Sequence, residues 1–201
     1  MYEIQPFILN LVVPTIAPVL ARHFNYCMSR GHNPVVLKHA RVIPIFKAGD
    51  VYSACNYRPF STLSIFNNIF DTSLHKQLSD FLESNKVLSD NQFGFRRKSN
   101  TTLAMMCFLN DTYTTFYQKS YCVCLFLDLR KAFDCVSVEV LLTKLRMLGV
   151  RGVGGDLTES YLSNRDQYVV VNNHKSNILN VTVGVPQGSV LGPLLFNVFY
   201  K

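Results

Sequence analysis

Tryptophan is absent from these 201 residues, and the aromatic content rests on 15 Phe and 10 Tyr, so any aromatic core is built mainly of phenylalanine. Metal signatures are missing too. The six cysteines, Cys27, Cys55, Cys107, Cys122, Cys124 and Cys135, form no CxxC pair, and the five histidines form no HExxH or His-x3-His spacing. That speaks against a zinc site and against a disulfide framework. Charge is sparse, at 16% of residues against 48% hydrophobic, a balance that excludes an intrinsically disordered chain and fits a folded, basic, soluble one. The nearest approach to a membrane segment is IQPFILNLVVPTIAPVLA, residues 4–21, which is interrupted by Pro6, Pro14 and Pro18, carries Gln5 and Asn10, and has no basic stretch before it. It reads as one or two short core helices, and no membrane association is expected. Between residues 60 and 185 there is no proline at all, so uninterrupted helices and strands are expected there.

What is present begins with a positive balance of +7, unevenly spread: residues 1–100 hold 11 Lys/Arg against 6 Asp/Glu, and residues 101–201 hold 9 against 7. A polyanionic partner would be felt mainly by the first half. Apolar letters at three- and four-residue steps (Phe66, Ile69, Phe70, Leu74, Leu78, Phe81, Leu82) predict a helix capped by Ser61 or Thr62 and ending near Asn85. A second helix is expected over 101–116, with Leu103, Ala104, Cys107 and Phe108 inward. The run YCVCLFL, residues 121–127, is too short for a globular helix and rich in β-formers, so it predicts a strand buried on both faces. Cys122 and Cys124 would share one face of it as small hydrophobes, which suits a reducing compartment. Val138, Leu141, Leu142, Leu145 and Leu148 mark a helix stopping at Gly149, and Gly152, Gly154 and Gly155 a turn-rich connection. Residues 167–185 predict a hairpin with a turn over Asn172–Ser176 and one buried face. The sum is a mixed α+β body with no internal repeat and no obvious domain break.

Four segments carry candidate chemistry. Asp128 ends the predicted buried strand, where a carboxylate is held rigidly. It reads either as an oxygen ligand for a hard cation such as Mg2+ or as a cap for the following helix. Asp134, six residues on, is open between metal binding, pairing with Arg130 or Lys131, and capping. In GVPQGSVLGPLLFN, residues 184–197, glycines surround Gln187 and Ser189, and Gly192-Pro193 suits a helix start, so the segment reads as a nucleotide-binding edge or as a plain turn. In ARVIPIFKAGD and NYRPFS a turn at Ala48-Gly49-Asp50 would bring Lys47 and Arg58 onto two arms, as a triphosphate clamp or as solvated cations. In NQFGFRRKSNTT, Phe93 and Phe95 interleave with Arg96, Arg97 and Lys98, as in surfaces that stack on bases and hold phosphates, or as a cationic loop with two core anchors.

Taken in order, VIPIFKAGD, NYRPFSTLS, NQFGFRRKSNTTLA, FLDLRKAFDCV, SYLSNRDQYV and GVPQGSVLGPLLFN resemble the consecutive motifs of a reverse transcriptase of the LINE, non-LTR type, closest to jockey-like elements. The resemblance runs from about residue 35 to the last residue. It implies a right-hand polymerase with fingers over 35–120 and a partial palm over 121–201, the thumb absent, and residues 1–34 before it are expected to be a helical N-terminal extension packing on the fingers. Asp128 matches the first metal-binding catalytic aspartate, with the Leu129 carbonyl as a further ligand. Phe133 matches the aromatic gate against a ribose 2′-hydroxyl, Lys47 and Arg58 the cations that clamp the incoming triphosphate, and Gln187 and Gly188 the loop lining the nucleotide pocket. Arg96, with Arg97 and Lys98, lies in the block facing the template, and Asp134 matches a family position of uncertain role. The implied cofactor is a pair of Mg2+ ions. The implied partners are an RNA template, a DNA primer and deoxynucleoside triphosphates, and the implied site of action is nuclear. One departure is large: the aromatic-x-Asp-Asp turn that supplies the remaining metal ligands is not found, and the sequence contains no Asp-Asp dipeptide. The expectation is a C-terminally truncated fragment with little or no polymerase activity of its own, or alternatively a relic that acts only as a nucleic-acid-binding module.

Overall fold

The computed structural model describes residues 6–201, so positions 1–5 of the N-terminal extension lie outside the described residues. Helix α1 spans Pro6–Ser29 as one element, not as one or two short ones, with Pro14 and Pro18 inside it. Prolines four apart lie on one face, so the missing N–H groups interrupt the ladder along one side only. Burial is confined to its C-terminal half: Phe24 and Cys27 are buried, and the Phe24 ring meets Phe70 edge-on at 5.2 Å, whereas Phe7, Leu11 and Val19 are exposed. By length and composition alone α1 would also be long and apolar enough to cross a membrane.

A short 3-10 turn leads into β1 (His39–Phe46), which pairs antiparallel with β2 (Tyr57–Thr62). Helix α2 spans Ile65–Ser84. Ser64, not Ser61 or Thr62, caps it by accepting the Asn67 N–H, because Ser61 and Thr62 are still paired with β1. Its far end falls at Asn85, as the periodicity predicts. Phe70, Leu74, Leu78 and Leu82 form its buried stripe, and Asn67 and Asp71 are buried with them.

Helix α3 spans Thr101–Tyr117, but none of its residues is buried. The inward placement expected for Leu103, Ala104, Cys107 and Phe108 is not found. The run 121–127 likewise forms no strand: it has no regular structure, and Tyr121, Val123, Leu125, Phe126 and Leu127 are exposed. A strand buried on both faces needs hydrogen-bonded neighbours and a covering layer on each side. Among the described residues neither is supplied, and the sheet recruits other segments. Phe108 of α3 meets Phe126 with centroids 6.0 Å apart. Cys122 and Cys124 are exposed with their sulfurs 3.7 Å apart, and so are not the buried hydrophobes expected.

Helix α4 (Val138–Met147) is capped by Ser137 and leaves through Gly149 at φ 97°. Helix α5 (Val153–Leu162) replaces the expected glycine-rich connection. Only Gly152, at φ 56°, serves as a turn. Gly154 and Gly155 each cost a helix about 1 kcal/mol relative to alanine, and burial of Leu157, Tyr161 and Leu162 overrides that cost.

Strand β3 (Arg165–Val171) lies parallel to β1, with His39 opposite Asp166 and Val42 opposite Val169. On its other side β3 takes two short antiparallel strands, β4 (His174–Lys175) and β5 (Leu179–Val181). The turn is the two-residue Asn172-Asn173, both at positive φ, rather than the five residues expected. Leu179 and Val183 are exposed, so the predicted buried face of this hairpin is uncovered. Helix α6 (Gly192–Tyr200) begins with Pro193 in its first turn. The core gathers the buried faces of α2, α4, α5 and α6 and the C-terminal half of α1.

Candidate functional site

The β1–β2 hairpin positions the two candidate cations. Ile45 lies opposite Arg58, and the Lys47 N–H donates to the Asn56 carbonyl at 2.9 Å, carrying the ladder one step further. Residues 45, 47 and 58 therefore share one face, and Lys47 and Arg58 are diagonal neighbours on it, both exposed. Gly49, at φ 97°, makes the turn, where a Cβ would come within 2.7 Å of the Asn56 side chain.

The segment after β5 is bound on two sides. Gly184 N–H donates to the Val136 carbonyl at 2.8 Å and Val185 N–H to the Phe133 carbonyl at 3.0 Å. Farther on, the Gln187 carbonyl accepts the Ser61 N–H of β2 at 2.8 Å. Gly188 stands at φ 117°, and a Cβ there would lie 2.6 Å from the Ser61 carbonyl oxygen. The junction encloses a cavity of about 230 Å³ whose polar wall includes Ser61, Asp134, Arg165, Gln167 and Gln187. Burial pushes the Asp134 carboxyl up, against the pull of the Lys131 charge. The Phe133 ring lies against Phe196 of α6 at 4.8 Å and meets Phe95 edge-on at 6.4 Å.

The basic block is fastened to α2. Arg96 donates to both Glu83 oxygens, at 3.0 and 3.1 Å, and to the Ser89 carbonyl, with Asp90 at 3.7 Å. Its charge is thus committed internally, unlike that of a free template contact. Arg97 meets Asp80 at 2.5 Å and stays half exposed, and Lys98 is exposed. Asn197 of α6 accepts from Gln92 and donates to the Gly94 carbonyl, which ties the block to the helix after the glycine loop.

Asp128 and Leu129 are exposed on the unpaired 121–129 segment. Among the described residues Asp128 finds no hydrogen bond or ion pair, so the rigid strand-end placement expected for it is not found, for want of a partner strand. Among the described residues no three His, Cys, Asp or Glu side chains converge as metal ligands. The structure thus brings Phe133, Asp134, Gln187 and Gly188 together beside β2, pairs Lys47 with Arg58, and leaves Asp128 and Leu129 outside these clusters.

One cluster escaped the sequence reading. Asp71 is fully buried on α2, and its Oδ2 accepts the Tyr161 hydroxyl at 3.1 Å. Arg165, also buried, donates to the Tyr161 carbonyl at 3.0 Å and lies over its ring at 4.9 Å. Burial pushes the Asp71 carboxyl up to about 6, opposed first by the Tyr161 hydroxyl and then by the Arg165 charge. The available signal was Asn67 and Asp71, polar letters four apart inside an apolar helical stripe.

The sequence profile of the reverse transcriptase (RNA-dependent DNA polymerase) family matches residues 45–201. The probable RNA-directed DNA polymerase from transposon BS of Drosophila melanogaster is 35% identical over 181 residues, covering 90% of this chain and 20% of that protein. The RNA-directed DNA polymerase from mobile element jockey of the same organism is 34% identical over 181 residues, again 90% and 20%. The retrovirus-related Pol polyprotein from type-1 retrotransposable element R2 of Popillia japonica is 32% identical over 172 residues, 84% of this chain and 23% of that protein. The chain spans about a fifth of the length of these relatives.

Proposed function

The chain belongs to the reverse transcriptase (RNA-dependent DNA polymerase) family, of the non-LTR, jockey-like retrotransposon kind, and we propose that it forms the fingers (35–120) and part of the palm (121–201) of an RNA-directed DNA polymerase, behind a helical extension over 1–34. What carries the reading is the junction at Ser61 and Gln187. A glycine conformation that admits no side chain sets a polar loop against β2, on the hairpin that bears Lys47 and Arg58. In this reading Lys47 and Arg58 hold the triphosphate of an incoming deoxynucleotide, Arg as a fork and Lys as a point charge. Phe133 is the gate against the ribose 2′-hydroxyl, and Gln187 and Gly188 line the nucleotide pocket, with Asp134 in its wall. Arg97 and Lys98 face template phosphates, while Arg96 holds their block on α2.

Reverse transcriptases generally use divalent metal ions. Asp128, with the Leu129 carbonyl beside it, is our proposed protein ligand, and Mg2+ our proposed ion. One carboxylate and one carbonyl do not fit a two-metal centre. No chemical step is therefore assigned through a metal, and residues 1–201 are proposed to have little or no polymerase activity alone. The RNA template, DNA primer and nuclear site of action belong to the same proposal.

The test is titration of residues 1–201 with a fluorescent deoxynucleoside triphosphate. Lys47→Ala or Arg58→Ala should each weaken binding by roughly tenfold or more, the worth of a charge-assisted contact. Unchanged affinity in both variants refutes the clamp. Primer extension by residues 1–201 on an RNA template with Mg2+ should give little or no product, and robust synthesis that survived Asp128→Ala would refute both the inactivity and the metal-ligand assignment. A second reading, binding of nucleic acid without synthesis, is favoured by the exposed Asp128 segment and the basic first half. It expects affinity for an RNA–DNA duplex to fall steeply with salt.

A further inference from the structure

The buried cluster under the glycine loop has no place in the nucleotide reading, yet it touches the loop from below. Asp71, Asn67 and Tyr161 are each almost wholly removed from solvent. The Tyr161 hydroxyl donates to Asp71 and lies beside Ser189. Ser189 closes the loop on itself: its Oγ donates to the Pro186 carbonyl at 2.9 Å and accepts the Gly192 N–H at 3.0 Å. On the other side of that same turn, the Gln187 carbonyl holds the Ser61 N–H. A continuous set of contacts therefore runs from a carboxyl on α2 to the residue proposed to line the nucleotide pocket.

We infer that Asp71 is a positioning residue for this loop: with Tyr161 it forms the buried seat on which the Pro186–Val190 turn rests, and through that turn it fixes Gln187 against β2. The inference rests on the nucleotide reading of Gln187 and Gly188. An apolar side chain would fill the seat at less cost, since burying a carboxyl is unfavourable unless its partners are complete. They are not complete here: one Asp71 oxygen and both polar atoms of the Asn67 carboxamide lie buried without a hydrogen bond of full geometry.

The groups facing the carboxyl come from every element around it. They are Asn67 on α2 itself, Tyr161 on α5, Arg165 on β3, and Ser189 and the Val190 N–H on the loop. Behind Arg165 lies Lys38, whose pKa burial and then Arg165 hold down. Burial dominates this balance and favours the neutral carboxyl while the loop covers it. Lifting the loop hydrates Asp71 and returns it toward an ordinary carboxylate. Protons therefore bind the seated form more tightly, so the loop is held more firmly as pH falls and loosens as Asp71 ionises.

The experiment follows residues 1–201 from pH 4 to 8 by amide exchange, corrected for intrinsic exchange, in the peptide covering 185–191, with affinity for a fluorescent deoxynucleoside triphosphate and Mg2+ in parallel. Wild-type loop protection and affinity should fall together by up to about tenfold per unit of pH between about 4 and 6 and level off above that. In Asp71→Asn both should be level with pH and high at pH 7.5. The ratio of wild type to variant cancels the titration of the triphosphate itself. A ratio independent of pH overturns the inference. If the variant does not fold, wild-type protection of 185–191 relative to the α4 peptide decides, since pH-independence there overturns it equally. Loop protection that follows pH while no nucleotide binds upholds the Asp71 seat and removes the nucleotide reading, and tight nucleotide binding over a pH-independent loop does the reverse.

Discussion

Gly188→Ala is the sharpest test of the junction on which the functional reading stands. At φ 117° the backbone lies where a side chain is strained, and a residue held in such a region costs about 1–3 kcal/mol. The new Cβ would also stand 2.6 Å from the Ser61 carbonyl oxygen and 3.2 Å from the Phe60 ring, so β2 and the loop must separate. Separation weakens the 2.8 Å bond from Ser61 N–H to the Gln187 carbonyl, worth about 1 kcal/mol net. The total is about 2–4 kcal/mol, and at roughly 2–4 °C per kcal/mol for a chain of this size Tm should fall by about 4–16 °C. Gly152→Ala is the control: at φ 56° and ψ −139° its backbone is also strained for a side chain, but a Cβ there meets no described atom within 4 Å, so it should cost only that strain, about 1–3 kcal/mol, with no clash and no lost bond to β2. Thermal unfolding by calorimetry, with amide exchange at Ser61, reads both effects. A Gly188→Ala protein that melts with wild type and protects Ser61 equally would refute the argument. So would two variants that melt together.

The Asp71 carboxyl makes stability depend on pH with a definite sign. Its folded pKa of about 6 lies above the ordinary carboxyl value of 3.8, so its contribution is fully present below about 4 and is lost as pH rises through 6, a change of about 3 kcal/mol by neutral pH. Denaturant titrations should show that slope in wild type and its disappearance in Asp71→Asn. Arg96→Ala removes both bonds to a partly buried Glu83 and should destabilise by about 1–2 kcal/mol, whereas Lys98→Ala, on an exposed side chain, should leave the unfolding midpoint unmoved. If Arg96→Ala is as silent in unfolding as Lys98→Ala, its charge is not committed to α2. For duplex binding, Lys98→Ala should shallow the dependence of log affinity on log salt by about one phosphate contact, and an unchanged slope would take Lys98 off the nucleic-acid face.

Local backbone preferences made much of this chain legible. Apolar spacing with polar ends located α2 to Asn85 and α4 to Gly149, Gly192-Pro193 started α6, and Ala48-Gly49-Asp50 turned the hairpin that carries Lys47 and Arg58. Each of these signals acts within a few residues, so the letters alone suffice. The motif order likewise pointed to the polymerase family before any fold was known. Partner choice was not legible in this way. YCVCLFL has every letter of a buried strand and forms none among the described residues, because a strand exists only when another segment completes its hydrogen bonds and covers its faces. Arg96 reads as a template cation until Glu83 stands beside it, and Asp71 as a stray polar letter until Tyr161, ninety residues on, closes over it. Signals confined to a few neighbouring letters thus sufficed for α2, α4, α6 and the Gly49 turn, and the motif order for the family, but not for α5 or for the two-residue turn between β3 and β4. Only the tertiary structure decided which charges are free and which polar groups are buried together, since desolvation and pairing depend on neighbours that the chain brings together from afar.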